Sequence, residues 1–223
     1  MKTNDLKWMK AQAWSGAVFA AFLFLHLCNQ MVASLGPGAY DGLQGTLRKG
    51  YQAPVVEVLL VLAPLLVHVV AAIARMLGRR GRSAPGLVSW RVRLHRWSGY
   101  FLLLVFLGHV TATRGASFFF DTVPGFAGVA FTFQWVPAYF FPYYLLLALT
   151  GWYHLMHGLS VTLPLLGVRA LTVLGDEKVF GSVVAGGSIA LIAGVLSLGG
   201  VFFDVGDPAS SAYAKLVLRL TGG

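Results

Sequence analysis

The stretch WSGAVFAAFLFLH at residues 14–26 returns as WSGYFLLLVFLGH at residues 97–109. Each copy opens on Trp-Ser-Gly, crosses an uncharged run and closes on a histidine. The offset from Trp14 to His26 equals that from Trp97 to His109. Nothing in them alternates with period two, so each reads as a helix rather than a barrel strand. At about 1.5 Å per residue, the histidine of the first copy stands about 18 Å along the helix from its tryptophan. A second pair follows: His68 and His154 each lie in the apolar run after one of these copies, at nearly the same separation. The chain therefore reads as two copies of one helical hairpin with a further segment added, the sequence form of a pseudo-symmetric four-helix bundle.

Composition sets the solvent. Of 223 residues, 57% are hydrophobic and 11% charged, where a soluble domain carries roughly 25% charged residues. One soluble core of this size cannot hide so much apolar surface, so the excess faces lipid. Five apolar stretches, at about 12–35, 54–77, 94–113, 136–163 and 179–203, reach the roughly 20 residues needed to span a bilayer, the third being the shortest. The expected fold is an all-α integral membrane protein, one membrane domain over residues 1–223. Its first four helices form the bundle and the fifth is peripheral. The connectors read as a Gly-rich loop at 36–53, a basic loop at 78–91, an aromatic segment at 114–135, a turn region at 164–178 and a polar tail at 204–223.

The net charge of +9 resembles a nucleic-acid signal until its distribution is read. With the N-terminus inside, twelve cations fall on inner segments: Lys2, Lys7, Lys10, Arg75, Arg79, Arg80, Arg82, Arg91, Arg93, Arg96, Arg169 and Lys178. Five fall on outer ones: Arg48, Lys49, Arg114, Lys215 and Arg219. This is a positive-inside pattern for N-in, C-out topology. No soluble domain is left to bind nucleic acid, and none is expected as a partner; membrane lipid is. The single Cys28, with no CxxCH, excludes covalent c-type haem and a disulfide framework.

Ionisable side chains inside hydrocarbon are costly and usually functional. A lone membrane histidine is accounted for by an interhelical hydrogen bond, but four successive helices each carry one. The expected topology sorts them by depth. His26 and His109 stand about 18–20 Å above the inner ends, and His68 and His154 about 10–15 Å. That gives an outer pair and an inner pair, each drawn from non-adjacent helices. Two imidazoles facing each other across a bundle suit bis-histidine haem ligation. Each second ring nitrogen then needs an acceptor, which a helix supplies through the carbonyl four residues back. For His68 that residue is Pro64, whose ring also frees the carbonyl of Leu60. Gly16 and Gly99 fall at the depth of the inner pair, where a helix passing a macrocycle needs a small residue; close helix packing uses glycine in the same way.

These residues resemble a known family: the di-haem cytochrome b membrane anchor of succinate:quinone oxidoreductase, in its single-chain five-helix form. The resemblance rests on FLFLHLCNQMVASLG (22–36), YQAPVVEVLLVLAPLLVHVVAAI (51–73), LHRWSGYFLLLVFLGHVTATR (94–114) and GWYHLMHGLSV (151–161). It covers about residues 11–170. It implies two b-type haems, the inner held by His68 and His154 and the outer by His26 and His109. It further implies a flavoprotein and an iron–sulfur partner subunit on the cytoplasmic face of the bacterial inner membrane. Electrons from succinate then pass through both haems to a quinone, usually menaquinone, near the outer haem; this chain holds no dicarboxylate site. An anchor of another membrane dehydrogenase, or of a quinol:fumarate reductase, uses the same haem physics. His157, one turn beyond His154, departs from the pattern and stands as an alternative ligand, a propionate contact, or a contact at the quinone or iron–sulfur interface.

The remaining candidates sit around these pairs. Haem propionates need cationic or hydroxyl partners, and Arg93, Arg96, Ser15, Ser98, His95 and His157 are in place for the inner haem. Glu57, in the first turn after Pro54, reads either as a helix-dipole partner or as a proton donor to quinone. Tyr40, Asp41 and Gln44 are further quinone candidates. Trp135, Tyr139, Tyr143 and Tyr144 read as an outer aromatic belt.

Overall fold

The structure, a computed structural model, describes residues 3–78, 88–168 and 172–222. Lys2, Arg79, Arg80, Arg82 and Arg169 lie outside them. The described residues form helices joined by short turns, without strands. We number the helices α1 (Thr3–Val32), α2 (Pro37–Tyr51), α3 (Pro54–Gly78), α4 (Trp90–Phe120), α5 (Phe126–Trp135), α6 (Pro137–Leu165), α7 (Glu177–Leu198) and α8 (Ala212–Thr221).

Four helical stretches are long and apolar enough to cross a membrane: Asp5–Leu35, Pro54–Gly78, Trp90–Phe120 and Glu177–Leu198. Their outward faces are apolar, with Leu66 at 65%, Leu104 at 80% and Ile189 at 68% exposure. Water would penalise such a surface and lipid does not. α6 is 29 residues long, but Tyr, Trp, His and Pro side chains dilute its hydropathy.

The helix starts follow their sequence signals. Pro37 and Pro54 occupy first-turn positions of α2 and α3. Ser89 accepts from the Val92 amide at the start of α4, and Asp176 accepts from the Lys178 and Val179 amides at the start of α7. α3 carries a π turn at Val58–Leu62, immediately before Pro64. Because Pro64 cannot donate to the helix ladder, a one-residue shift of that ladder is the expected accommodation. α4 carries a second π turn at Thr111–Gly115. Within it the Ala112 carbonyl accepts from the Tyr213 hydroxyl at 3.2 Å.

Three expectations need correction. Residues 36–53 are not a loop: despite its glycines, α2 is a helix whose polar and apolar residues fall on separate faces. The third span is not the shortest, because α4 runs through the π turn to Phe120. The 204–223 tail ends in the amphipathic helix α8, capped by Ser211.

α3 packs on α1, α1 on α6 and α6 on α4, while the Tyr100 hydroxyl of α4 meets Met76 Sδ of α3 at 3.7 Å. α1 and α4 are therefore diagonal, as are α3 and α6. The hydrophobic core lies to one side of this bundle. It gathers Leu27 of α1, Phe133 of α5, Trp152 and Leu155 of α6, and Leu191 and Val195 of α7. α7 lies outside the histidine bundle yet is firmly seated. Its Gly194 lies against the Gln30 backbone oxygen, with no room for a Cβ, and the Trp152 indole donates to the Val184 carbonyl at 3.2 Å.

Candidate functional site: two histidine pairs across the bundle

His26 of α1 faces His109 of α4 with ring centroids 6.0 Å apart. His68 of α3 faces His154 of α6 at 6.3 Å. Both pairs span the diagonals. An imidazole nitrogen binds a metal at about 2 Å, so two imidazoles on opposite sides of one metal have centroids about 6 Å apart. No direct hydrogen bond joins either pair among the described residues. The rings of each pair therefore face each other without bonding, and His68 and His154 bond backbone oxygens of other helices instead.

The inner pair is held by the repeated Trp-Ser-Gly motif. His68 Nδ1 lies 3.1 Å from the Gln12 backbone oxygen, and His154 Nδ1 lies 3.3 Å from that of His95. Gln12 and His95 are equivalent positions in the repeat, each two residues before its tryptophan. The serine three residues on reaches the same carbonyl: Ser15 Oγ lies 3.3 Å from Gln12 O, with its shorter bond, 2.6 Å, to Ala11 O, and Ser98 Oγ donates to His95 O at 2.9 Å while lying 3.1 Å from His154 Nδ1. The following glycine makes room for the imidazole. A Cβ on Gly16 would lie 2.8 Å from His68 Nδ1, and one on Gly99 would lie 3.1 Å from His154 Cε1. With Nδ1–H donating to a carbonyl, Nε2 keeps its lone pair, which is the tautomer a metal ligand needs.

The acceptor for His68 thus comes from α1 rather than from the carbonyl of Pro64 within its own helix. Gln12 is a residue that sequence reasoning missed. Its side-chain oxygen also accepts from Arg75 Nη1 at 2.5 Å, tying α1 to α3 beside the imidazole. Its position opposite His95 in the repeat was the available signal.

Toward the start of α4, His95 stacks on His154 at 4.1 Å and His157 stacks on His95 at 4.6 Å. His95 is thus packed into the helix interface rather than held at the bundle edge. His157 is buried, but its pairing is with His95; His154 is the α6 histidine that faces His68. Ser15 and Ser98 are buried and back-bonded to helix carbonyls. Arg93 and Arg96 are exposed, and Arg93 lies over Trp90. Trp14 and Trp97, at matching positions of the repeat, are 60% and 68% exposed.

The outer pair is backed by aromatics. Phe22 stacks on His26 at 5.7 Å and meets Tyr51 edge-on at 5.0 Å. Beyond Tyr51, Glu57 forms a two-armed ion pair with Arg114, at 2.5 Å from Nε and 2.7 Å from Nη2. Each partner adjoins or sits within one of the π turns. Arg48 and Arg114 share the Ser117 hydroxyl, at 3.0 and 3.4 Å. Glu57 therefore has a fixed counter-charge, which neither of its sequence readings included.

Tyr40, Asp41 and Gln44 are brought together by α2, and each has a local structural role. Asp41 Oδ1 accepts from the Phe126 amide at 2.7 Å, capping α5. Tyr40 is buried against Phe126, and burial pushes its hydroxyl pKa up to about 12. Gln44 Nε2 reaches Tyr40 Oη and the Pro124 carbonyl. Asp41 and Gln44 also line an open cleft of about 550 Å³ with Arg48, Lys49, Gln52 and Val123. Of the aromatic belt, Tyr139 and Tyr143 stack at 5.5 Å, while the Tyr144 hydroxyl accepts from Thr132.

Comparison with models of known protein families, with curated proteins and with solved structures gives no match.

Proposed function

We propose that this chain is a di-haem cytochrome b membrane anchor of the succinate:quinone oxidoreductase type. One observation carries the reading: two histidine pairs on the bundle diagonals, with centroid separations of 6.0 and 6.3 Å, each suited to clasp one metal. The Gly16 and Gly99 cradles and the carbonyl-bound Nδ1 atoms support it, because both prepare an imidazole as a ligand. In this reading α6 is the fifth span, the N-terminus and the Arg75–Arg96 end face the cytoplasm, and the C-terminus lies outside.

His68 and His154 would hold the inner haem and His26 and His109 the outer. When bound, these haems supply one-electron carriers between an iron–sulfur partner subunit and a quinone. The chain's own residues set the conditions. Gln12 O and His95 O orient the inner imidazoles and raise their basicity. The apolar bundle keeps water from the centres. Glu57 lies beyond Tyr51 from the outer pair and is held by Arg114 as an ion pair, so in this reading it serves a quinone there as a proton relay, taking up a proton before it gives one. Lys7, Lys10, Arg93 and Arg96 present a basic inner surface to an acidic partner.

The test is direct. The purified chain is expected to give a reduced b-type spectrum, with succinate-oxidising flavoprotein and iron–sulfur subunits co-purifying. Another dehydrogenase in the co-purified fraction would reassign the partner while leaving the haem assignment standing.

A further inference from the structure

Three buried nitrogens gather at the inner end of α4 and α6 without a hydrogen-bond partner: Arg91 Nε, His95 Nδ1 and His157 Nδ1. Buried donors are rarely left unpaired, and each such atom asks for a partner that the protein itself does not provide. These three form one group. Arg91 and His95 are four residues apart, on one face of α4. His157 of α6 stacks on His95 at 4.6 Å. Phe180 of α7 lies 3.8 Å from the Arg91 guanidinium carbon and 6.3 Å from the His157 ring.

Arg91 is set in place before any ligand arrives. Its guanidinium rests on Phe180 from one side. Its backbone oxygen accepts from the Tyr153 hydroxyl at 3.0 Å. Such a guanidinium is a poor surface charge and a good receptor, because its order costs nothing further on binding. With both imidazoles in the Nδ1–H tautomer, they and the guanidinium N–H make an all-donor cluster. The chemistry it recognises is an anion with several acceptor lone pairs, and a carboxylate is the compact case. Acidic side chains do not fill it: Asp176 at the start of α7 is engaged in capping, and Asp5 faces Arg75.

We propose that Arg91, His95 and His157 seat a carboxylate of the inner haem. This rests on the di-haem reading above. The stack from His154 through His95 to His157 leads from the inner pair to Arg91, so ligand and carboxylate seat are continuous. Arg93 and Arg96, the arginines that sequence spacing favours, are exposed and do not belong to it. The competing source of the same chemistry is an acidic side chain of a partner subunit, which would leave the haem itself unaffected.

The experiment uses the full-length haem-loaded chain and redox titration of each haem, with haem content measured alongside. Arg91→Gln is expected to lower the midpoint of the haem that His154→Ala removes. The shift expected is at least about tenfold in its reduction equilibrium, about 59 mV for one electron. Arg91→Lys should recover most of that shift, and the double variant Arg93→Gln/Arg96→Gln should move it less. Loss of that haem in Arg91→Gln with retention in Arg91→Lys also supports the seat. Unmoved midpoints with two haems in Arg91→Gln overturn the proposal and leave the di-haem reading intact. Loss in both Arg91 variants, or a larger shift from Arg93→Gln/Arg96→Gln, overturns it equally. A wild-type chain without haem ends both.

Discussion

The Nδ1 of His68 lies 3.1 Å from the backbone oxygen of Gln12, on a different helix. The same bond recurs in the second copy of the repeat, where His154 of α6 meets His95 O of α4. One motif therefore does the same work twice: its first carbonyl holds an imidazole, its serine reaches that carbonyl, and its glycine makes room. This symmetry gives the internal repeat a physical purpose, and perturbing each part has a distinct consequence.

On the di-haem reading, a side chain at Gly16 should expel the inner haem selectively. A Cβ there would stand 2.8 Å from His68 Nδ1, and the imidazole cannot retreat without leaving Gln12 O. Gly16→Val should reduce haem content from two per chain to one. Gly99→Ala should weaken retention less, because its contact is 3.1 Å and falls on a ring carbon. Helix propensity favours alanine over glycine by roughly 0.5–1 kcal/mol and places valine between them, so haem loss in these variants reports the contact and not a weakened helix.

The histidine variants should sort into two classes. His26→Ala and His109→Ala should lose one and the same spectral component, and His68→Ala and His154→Ala the other. Doubling the substitution within a pair should add nothing. His157→Ala should keep both haems ligated, since His157 pairs with His95 rather than with His68, while lowering the inner midpoint if His157 seats the haem carboxylate. Haem loss in His157→Ala with retention in His154→Ala would exchange the two α6 assignments.

The Glu57–Arg114 pair should be a stability element. The two side chains are 12% and 28% exposed, so Arg114→Met strands a carboxylate in a poorly hydrated place. The expected loss is about 1–3 kcal/mol, short of the roughly 3–5 kcal/mol of a fully buried pair. Glu57→Gln should cost less, because Arg114 retains access to water and to the Ser117 hydroxyl. The double variant should be more stable than the sum of the singles implies. Thermal unfolding in detergent reads all three, and strict additivity would dissolve the pair as an energetic unit.

Gly194→Val separates the α7 seat from the histidine bundle. Its Cβ has no room against the Gln30 backbone oxygen, an overpacking worth about 1–3 kcal/mol. The melting temperature should fall while haem content stays at two. A parallel loss of haem would show that the strain travels along α1 from Gln30 to His26.

Much of this was legible because membrane depth is nearly one-dimensional. Counting residues along a helix of regular rise placed Gly16 and Gly99 level with His68 and His154, and the structure sets them in contact. Rotation about the helix axis was harder to read. Arg91, Arg93 and Arg96 crowd one short stretch, and only the four-residue step from Arg91 to His95 marks which one turns inward. Gln12 escaped notice because its functional atom is a backbone oxygen, which carries no residue-type signature. α2 was hidden by its glycines, whose low propensity is outweighed by packing: Tyr40 is buried in the core, and Asp41 is fixed to the Phe126 amide. Glu57 was visible, but Arg114 became its partner only once α3 and α4 were placed side by side.

The central claim is that the two diagonal histidine pairs each hold a haem iron. Haem content per chain, measured on the purified protein together with its reduced spectrum, tests it most directly. The account predicts two b-type haems per chain, with a variant of either pair keeping one. A chain that folds in the membrane with one haem or none would contradict it.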